Sequence, residues 1–240
     1  MKNLRIILSI TVLIFSITGC TIEKGDYITT ELKFEEFEEI IVDLDANVFL
    51  SQGEEQEIIV KGFESQIENF KISLDGKTLN LDTKNGINVS FDDKELEFHI
   101  TIPKINLLKI KSSAEVQINN FEQSEKLNLE ISGSGEIELN QFNNLKLLDV
   151  DISGSGELIA LSLIDSLESL NIDISGSGEF NGFLTHSKNA NVNISGSGDV
   201  SLTALDNLNI NISGSGTVNY KGFPNINSNI SGSGSIKNTN

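Results

Sequence analysis

The sequence predicts an all-β fold, a single-stranded parallel β-helix (β-solenoid) with about seven coils of Ile-Ser-Gly-Ser-Gly type and an irregular, β-rich N-terminal part. Two observations carry this: a repeat of about 20 residues, and apolar alternation with period two leading into each copy. Ile-Ser-Gly-Ser-Gly occurs six times, from Ile131, Ile152, Ile174, Ile194, Ile212 and Ile230, at spacings of 21, 22, 20, 18 and 18 residues. A degenerate copy, Ile110-Lys111-Ser112-Ser113-Ala114, lies 21 residues before the first. Leu127-x-Leu129-x-Ile131, Leu148-x-Val150-x-Ile152 and Leu170-x-Ile172-x-Ile174 read as strands with one buried face. After each turn an apolar residue starts another strand, from Val116 and Ile137 to Val218 and Ile236. Twenty residues are too few for a βαβ unit of about 30 or more but suit one solenoid coil. Coils about 4.8 Å apart would stack seven high into a rod of roughly 30 Å, with isoleucines in an interior ladder.

In chain order, residues 1–19 read as a secretion signal. Lys2 and Arg5 give a basic start, and the apolar run Ile6 to Ile17 follows. That run is shorter than the roughly 20 residues a spanning helix needs. Ile17-Thr18-Gly19-Cys20 resembles the lipobox of bacterial lipoproteins, in which the chain is cut before the cysteine and the cysteine is acylated. Cys20 is therefore expected to be a lipid attachment point, holding the chain on a membrane. Residues 20–32 read as a tether, and Thr21 is compatible with outer-membrane delivery. Residues 33–240 read as the solenoid domain, with 33–105 as its irregular part and 106–240 as the repeat coils. In 33–105, Ile40-Ile41-Val42, Val48-Phe49-Leu50, Ile58-Ile59-Val60, Ile72-x-Leu74, Leu79-x-Leu81 and Leu96-x-Phe98-x-Ile100 read as strands. Asp75-Gly76-Lys77 and Asn85-Gly86 read as hairpin turns. Glu31 to Ile41 is open to a helical reading, with strand preferred from Phe37. The half is expected to continue or cap the rod, because an open coil offers an unpaired strand edge.

Within the repeats, a bulky residue recurs eleven positions after the isoleucine at Phe121, Phe142, Leu163, Leu205 and Phe223, with Phe183 displaced. These are expected to line a third wall. The glycines are expected where a side chain would clash, and the serines between them to face solvent or bond the turn.

Composition narrows the function. The chain has 35 acidic against 17 Lys and Arg residues, a formal charge of −18, the wrong sign for nucleic acid. Its single cysteine excludes an internal disulfide or a Cys cluster for zinc. Arg5 is the only arginine, so cleavage before Cys20 would leave no fork-shaped cation for phosphate or carboxylate.

The recurring Ile-Ser-Gly-Ser-Gly-[Glu/Asp], the lipobox and the segment Val42-Asp43-Leu44-Asp45-Ala46-Asn47-Val48-Phe49-Leu50-Ser51-Gln52-Gly53 together resemble the family called putative auto-transporter adhesin, head GIN domain. The resemblance covers roughly residues 33 to 236. It implies a β-solenoid on the bacterial envelope and, by name, an adhesive role. Self-translocation is not expected, since no translocator barrel follows Asn240.

Chemistry is sparse. His99 sits opposite the apolar residues of its strand and His186 in a polar loop, so both read as surface residues rather than parts of a triad or a zinc site. β-Helix folds host polysaccharide lyases and hydrolases, but a fold does not confer an activity, and here the carboxylates follow the repeat. Glu115, Glu136, Glu157, Glu179 and Asp199 follow successive turns and should stack, giving way to Thr217 and Ser235. Carboxylates about 4.8 Å apart in water repel by about 0.9 kcal/mol. A solvated stripe is one reading, and weak calcium binding that relieves the repulsion is the other. A second column, Glu130, Asp151, Asp173, Asn193, Asn211 and Asn229, could form amide ladders that fix register. The expected function is a non-catalytic, lipid-anchored envelope protein that displays a rigid surface for binding or adhesion. Its partners would be the membrane through Cys20 and a glycan or surface protein. A structural or assembly role in the envelope, and then a glycan-active enzyme, are the alternatives.

Overall fold

The structure, a computed structural model, describes residues 24–84 and 96–240. The signal, Cys20 and the Asn85-Gly86 turn lie outside the described residues. The solenoid is built from two long parallel sheet faces joined at tight turns. One face stacks β8 (Leu107–Ile110), β10 (Lys126–Ile131), β12 (Leu147–Ile152), β14 (Ile164–Gly176), β15 (Glu179–Gly196), β16 (Asp199–Gly214) and β18 (Asn225–Gly232). The other stacks β9 (Glu115–Asn119), β11 (Glu136–Leu139), β13 (Glu157–Ala160), the starts of β15 and β16, β17 (Thr217–Lys221) and β19 (Ser235–Asn238). Counting the coil of Ile110 as the second, so that Ile174 lies in coil 5 and Ile230 in coil 8, strands from coil 5 on run through the corner, and β15 and β16 each serve both faces.

The register is the one the repeat implies. Ile110, Ile131, Ile152, Ile174, Ile194, Ile212 and Ile230 are partnered level by level. In β10, Leu127, Leu129 and Ile131 are buried while Lys126, Asn128 and Glu130 point outward, as period two requires. One continuous apolar core runs from Phe37 to Val218.

The Gly-Ser-Gly turn is set by the coil beneath it. A Cβ on Gly154 would lie 2.3 Å from the Gly133 carbonyl oxygen, and one on Gly156 2.4 Å from Ile131 Cγ2. The serine between them is outside, and its N–H donates downward, as from Ser155 to Gly133 O at 3.2 Å. At Gly176, Gly196, Gly214 and Gly232 the first glycine also adopts φ between +125° and +139°.

The N-terminal part both continues and caps the rod. β2 (Glu39–Asp43) and β3 (Asn47–Gln52) form a true coil beneath β8 and β9, with Val42 partnering Ile110 and Val48 partnering Val116. Beneath these lie β6 (Thr78–Thr83) and β7 (Glu97–Ile102), also parallel. The chain thus leaves after β3, builds the bottom, and returns above β2. The bottom is closed by antiparallel strands. β5 (Phe70–Asp75) joins β6 through the expected turn, where Gly76 has φ +60°, while β4 (Glu57–Phe63) joins β7, and β1 (Tyr27–Leu32) joins β4. The short helix α1 (Glu64–Asn69) follows β4, and Gln66 Oε1 accepts the Phe63 N–H at 2.9 Å. No described helix is long and apolar enough to cross a membrane.

Three expectations change. Residues 27–32 of the expected tether form β1, so the chain enters the fold before residue 33. The helical option for Glu31 to Ile41 is not taken, and strand begins at Glu39 rather than Phe37. The third wall exists only at Phe121 and Phe142, which are buried and stacked with centroids 5.7 Å apart. Leu163, Leu205 and Phe223 point out, Phe223 being 90% exposed, and Phe183 is half-buried under Lys221. In those corners Ile164, Thr185, Thr203 and Ala204 turn inward instead, and the small ones close a narrower corner. The two threonine hydroxyls are satisfied locally, donating to Gly182 O at 2.6 Å and Phe183 O at 2.8 Å.

Candidate functional site

Stacking turns each outward position into a column. On the β9–β11–β13 face, Glu115, Glu136, Glu157, Glu179 and Asp199 are partnered in that order, with Thr217 and Ser235 above. Asn47 and then Glu97 continue the column below. Partial burial pushes the Glu136 carboxyl above its usual range, and the charges of Glu138 and Glu115 add to this. Glu157 is raised in the same way, by burial and then by Glu179 and Glu136. The expected cation stripe is therefore one aligned column. Among the described residues no group of three or more potential ligands converges on one point.

The opposite face carries more than the one column foreseen. Three outward columns lie one, three and five positions before the repeat isoleucine. The first runs Glu130, Asp151, Asp173, Asn193, Asn211 and Asn229; the second Asn128, Asp149, Asn171, Asn191, Asn209 and Asn227; the third becomes Asn189, Asn207 and Asn225. The side-chain amides bond coil to coil. Asn171 Nδ2 donates to Asp149 Oδ1 at 2.7 Å, Asn191 to Asn171 at 2.8 Å and Asn209 to Asn191 at 2.9 Å. Asn193 donates to Asp173 at 2.7 Å, Asn211 to Asn193 at 3.0 Å and Asn207 to Asn189 at 2.8 Å. The expected amide ladder is present, and two more accompany it. Their signal was in the strands Asn189-x-Asn191-x-Asn193 and Asn207-x-Asn209-x-Asn211, which put every asparagine on one face.

This face changes character along the rod. In coils 3 to 5 it is acidic: a groove of about 400 Å³ is lined by Glu130, Asp149, Asp151 and Asp173. Burial and the charges of Glu130 and Asp173 raise the Asp151 carboxyl, while Lys109, which pairs with Glu130 at 2.5 Å, opposes the shift. In coils 5 to 8 a groove of about 440 Å³ runs along the axis between the Asp173–Asn193–Asn211–Asn229 column and the serines of the repeat, Ser175, Ser195, Ser213 and Ser231.

The histidines lie apart from each other, His99 at the lower end of the acidic face and His186 at the third corner. His99 lies on the outside of β7, stacked on Phe49 with centroids 4.8 Å apart and bonded to Glu97 at 2.8 Å. His186 is half-buried at the third corner beside Thr203.

The architecture has relatives among solved structures. A protein from Bacteroides fragilis NCTC 9343 described as a putative adhesin superimposes with a TM-score of 0.81 at 22% identity, over 89% of this chain and 97% of that one. One from Parabacteroides distasonis ATCC 8503, described as a putative lipid binding protein, gives 0.71 at 24% identity over 90% and 98%. A putative adhesin from Parabacteroides merdae ATCC 43184 gives 0.67 at 21% identity over 90% and 97%. At these identities the likeness concerns the fold. No curated protein matches the chain. The match of a family model to residues 36–224 completes the assignment: the chain belongs to the family described as putative auto-transporter adhesin, head GIN domain.

Proposed function

We propose that the protein is a non-catalytic, lipid-anchored envelope protein that holds a rigid solenoid away from a membrane for binding or adhesion. The observation that carries this is the in-register stack. It converts one repeat into long, regular polar faces. Such faces suit repeated weak contacts with an extended partner. The family's description as an adhesin supports the reading, as do the putative adhesin descriptions of the similar solved structures. Anchoring rests on the basic start, the apolar run and Ile17-Thr18-Gly19-Cys20.

The test uses cells producing the full chain or its Cys20→Ser variant. Mass spectrometry of the mature N-terminal peptide should show cleavage before Cys20 and acyl chains on that residue. Cells with the anchored form should adhere to a host or bacterial surface more than cells with the variant, which should shed the protein. An unmodified, uncleaved N-terminus contradicts the anchor, and equal adhesion by both cell types contradicts the display role.

A further inference from the structure

We infer that the amide-lined groove of coils 5 to 8 is a binding site for an extended, neutral polysaccharide chain lying along the solenoid axis. This rests on the binding role proposed above and assigns it to one face and one ligand class. The groove holds about 440 Å³ and is lined on one side by Asn193, Asn211 and Asn229 and on the other by Ser195, Ser213 and Ser231. Each of these groups can both donate and accept, the complement of sugar hydroxyls, which also do both.

The amides are held before any ligand arrives. Asn193 and Asn211 each donate one Nδ2 hydrogen down the ladder, and Asn193 Oδ1 also accepts from above. An amide has two hydrogens and two lone pairs, so each retains one donor and at least one acceptor position beyond the ladder. A side chain fixed by its neighbours loses little rotamer freedom on binding, which lowers the cost of association. The coil spacing of about 4.8 Å repeats the same pair of groups along the groove, as a polymer of one sugar repeats its hydroxyls.

Charge selects the neutral class. Asp173 is the one ionisable group lining the groove, and residues 207–240 contain no Asp or Glu and only Lys221 and Lys237 as cations. A uronic or sialylated chain would find no cation within the groove and would face Asp173 and the acidic coils below. An extended peptide fits less well, because the inward Ile174, Ile194 and Ile212 are closed over and offer no pocket for apolar side chains.

The full chain is probed with an array of neutral glucan, mannan, galactan and xylan oligosaccharides of one to eight sugars, alongside sialylated and uronic acid chains. We expect binding to at least one neutral series that strengthens with length over about four sugars, and no binding to the acidic series. Ser195→Tyr with Ser213→Tyr, both exposed and outside the core, fills the groove and should weaken that binding at least tenfold. Glu136→Gln, on the opposite face, should leave it unchanged. A circular dichroism melt within a few degrees of the parent shows that the tyrosine variant is folded. If it melts lower, Ser213→Asn as the smaller change is read instead, with an expected loss of at least threefold. Preference for acidic chains, absence of binding to every neutral series, or binding that survives the filled groove overturns the inference. The cell adhesion assay is read separately: adhesion that persists in the groove-filled variant leaves the display role standing and removes this site from it.

Discussion

The cap and the repeat body pair their strands by different means, and only the cap closes an edge: at the other end β18 and β19 each have one partner among the described strands. In the body each residue meets its own copy one coil away, so only side chains that tolerate themselves can recur. Isoleucine stacks in the core, asparagine bonds to asparagine, and glycine admits the carbonyl below. Glutamate stacks on itself less well, and Glu136 and Glu157 are pushed toward the protonated form, first by partial burial and then by the neighbouring carboxylates. In the N-terminal part successive strands differ in sequence, so unlike residues meet, whether the pairing is antiparallel, as at Lys61 and Glu97 3.6 Å apart, or parallel, as where β2 lies on β6. Glu38 there accepts from Lys77 at 2.8 Å and pairs with Lys104 at 3.1 Å, which holds its carboxyl below the usual range. Repetition gives stiffness and long faces, and heterogeneity gives charge pairing and closure.

The largest expected contrast is between buried and outward bulky residues. Ile172→Ala, in the interior ladder, should cost about 2–5 kcal/mol in chemical denaturation. Phe223→Ser, at a position 90% exposed, should change stability by less than about 0.5 kcal/mol. A comparable loss at both sites would mean that the third corner is packed after all.

Glycines sharpen the comparison next. Gly196→Ala combines φ +138° with a Cβ 2.3 Å from the Gly176 carbonyl oxygen, and should cost more than about 1–3 kcal/mol. Gly76→Asn, in the hairpin of the cap where a Cβ meets nothing within 4 Å, should cost less than about 1 kcal/mol. Melting both variants in one buffer decides whether glycine is demanded by the stack or merely by turns.

The carboxylates should respond to pH with opposite signs. Glu136 and Glu157 have raised folded pKa values, so their contribution is fully present below the unfolded value near 4.5 and is lost as pH rises through the folded one. Glu38 has a lowered value, so its contribution is present above 4.5 and is lost as pH falls through its folded value. As pH is lowered, Glu136→Gln with Glu157→Gln should therefore flatten a stabilising trend that sets in above pH 4.5, and Glu38→Gln a destabilising one that develops below it. Each effect should be below about 1 kcal/mol, since all three groups remain in contact with solvent. The smallest effect is that of salt. Sodium chloride at about 0.5 M should raise the melting temperature of the parent slightly more than that of the Glu136→Gln, Glu157→Gln variant, because screening relieves the column.

How much of this was legible in the sequence follows from the same contrast. The body was readable because a translation of one coil is also a shift of about 20 residues, so the register of Ile110 to Ile230 and of Glu115 to Asp199 is written directly. The acidic column and one amide ladder followed, while the other two needed the strands to be read at every second position. The placing of β2 and β3 between β6–β7 and β8–β9 was not readable as a topology, because those pairings join distant segments. Yet Val42 and Val48 keep the six-residue spacing of Ile110 and Val116, which marks that coil as a further copy of the repeat. The third corner misled because a short connection can rotate a bulky residue outward and a threonine inward without changing the period.

The claim beneath all of this is that successive Gly-Ser-Gly turns lie one above another. Nitroxide labels at Ser134→Cys and Ser215→Cys in a Cys20→Ser background sit on exposed turn positions four coils apart. Pulsed electron resonance should give one narrow distance near 19 Å plus a few ångströms for the labels. A broad distribution, or a distance beyond about 35 Å, would contradict the stack and the faces built on it.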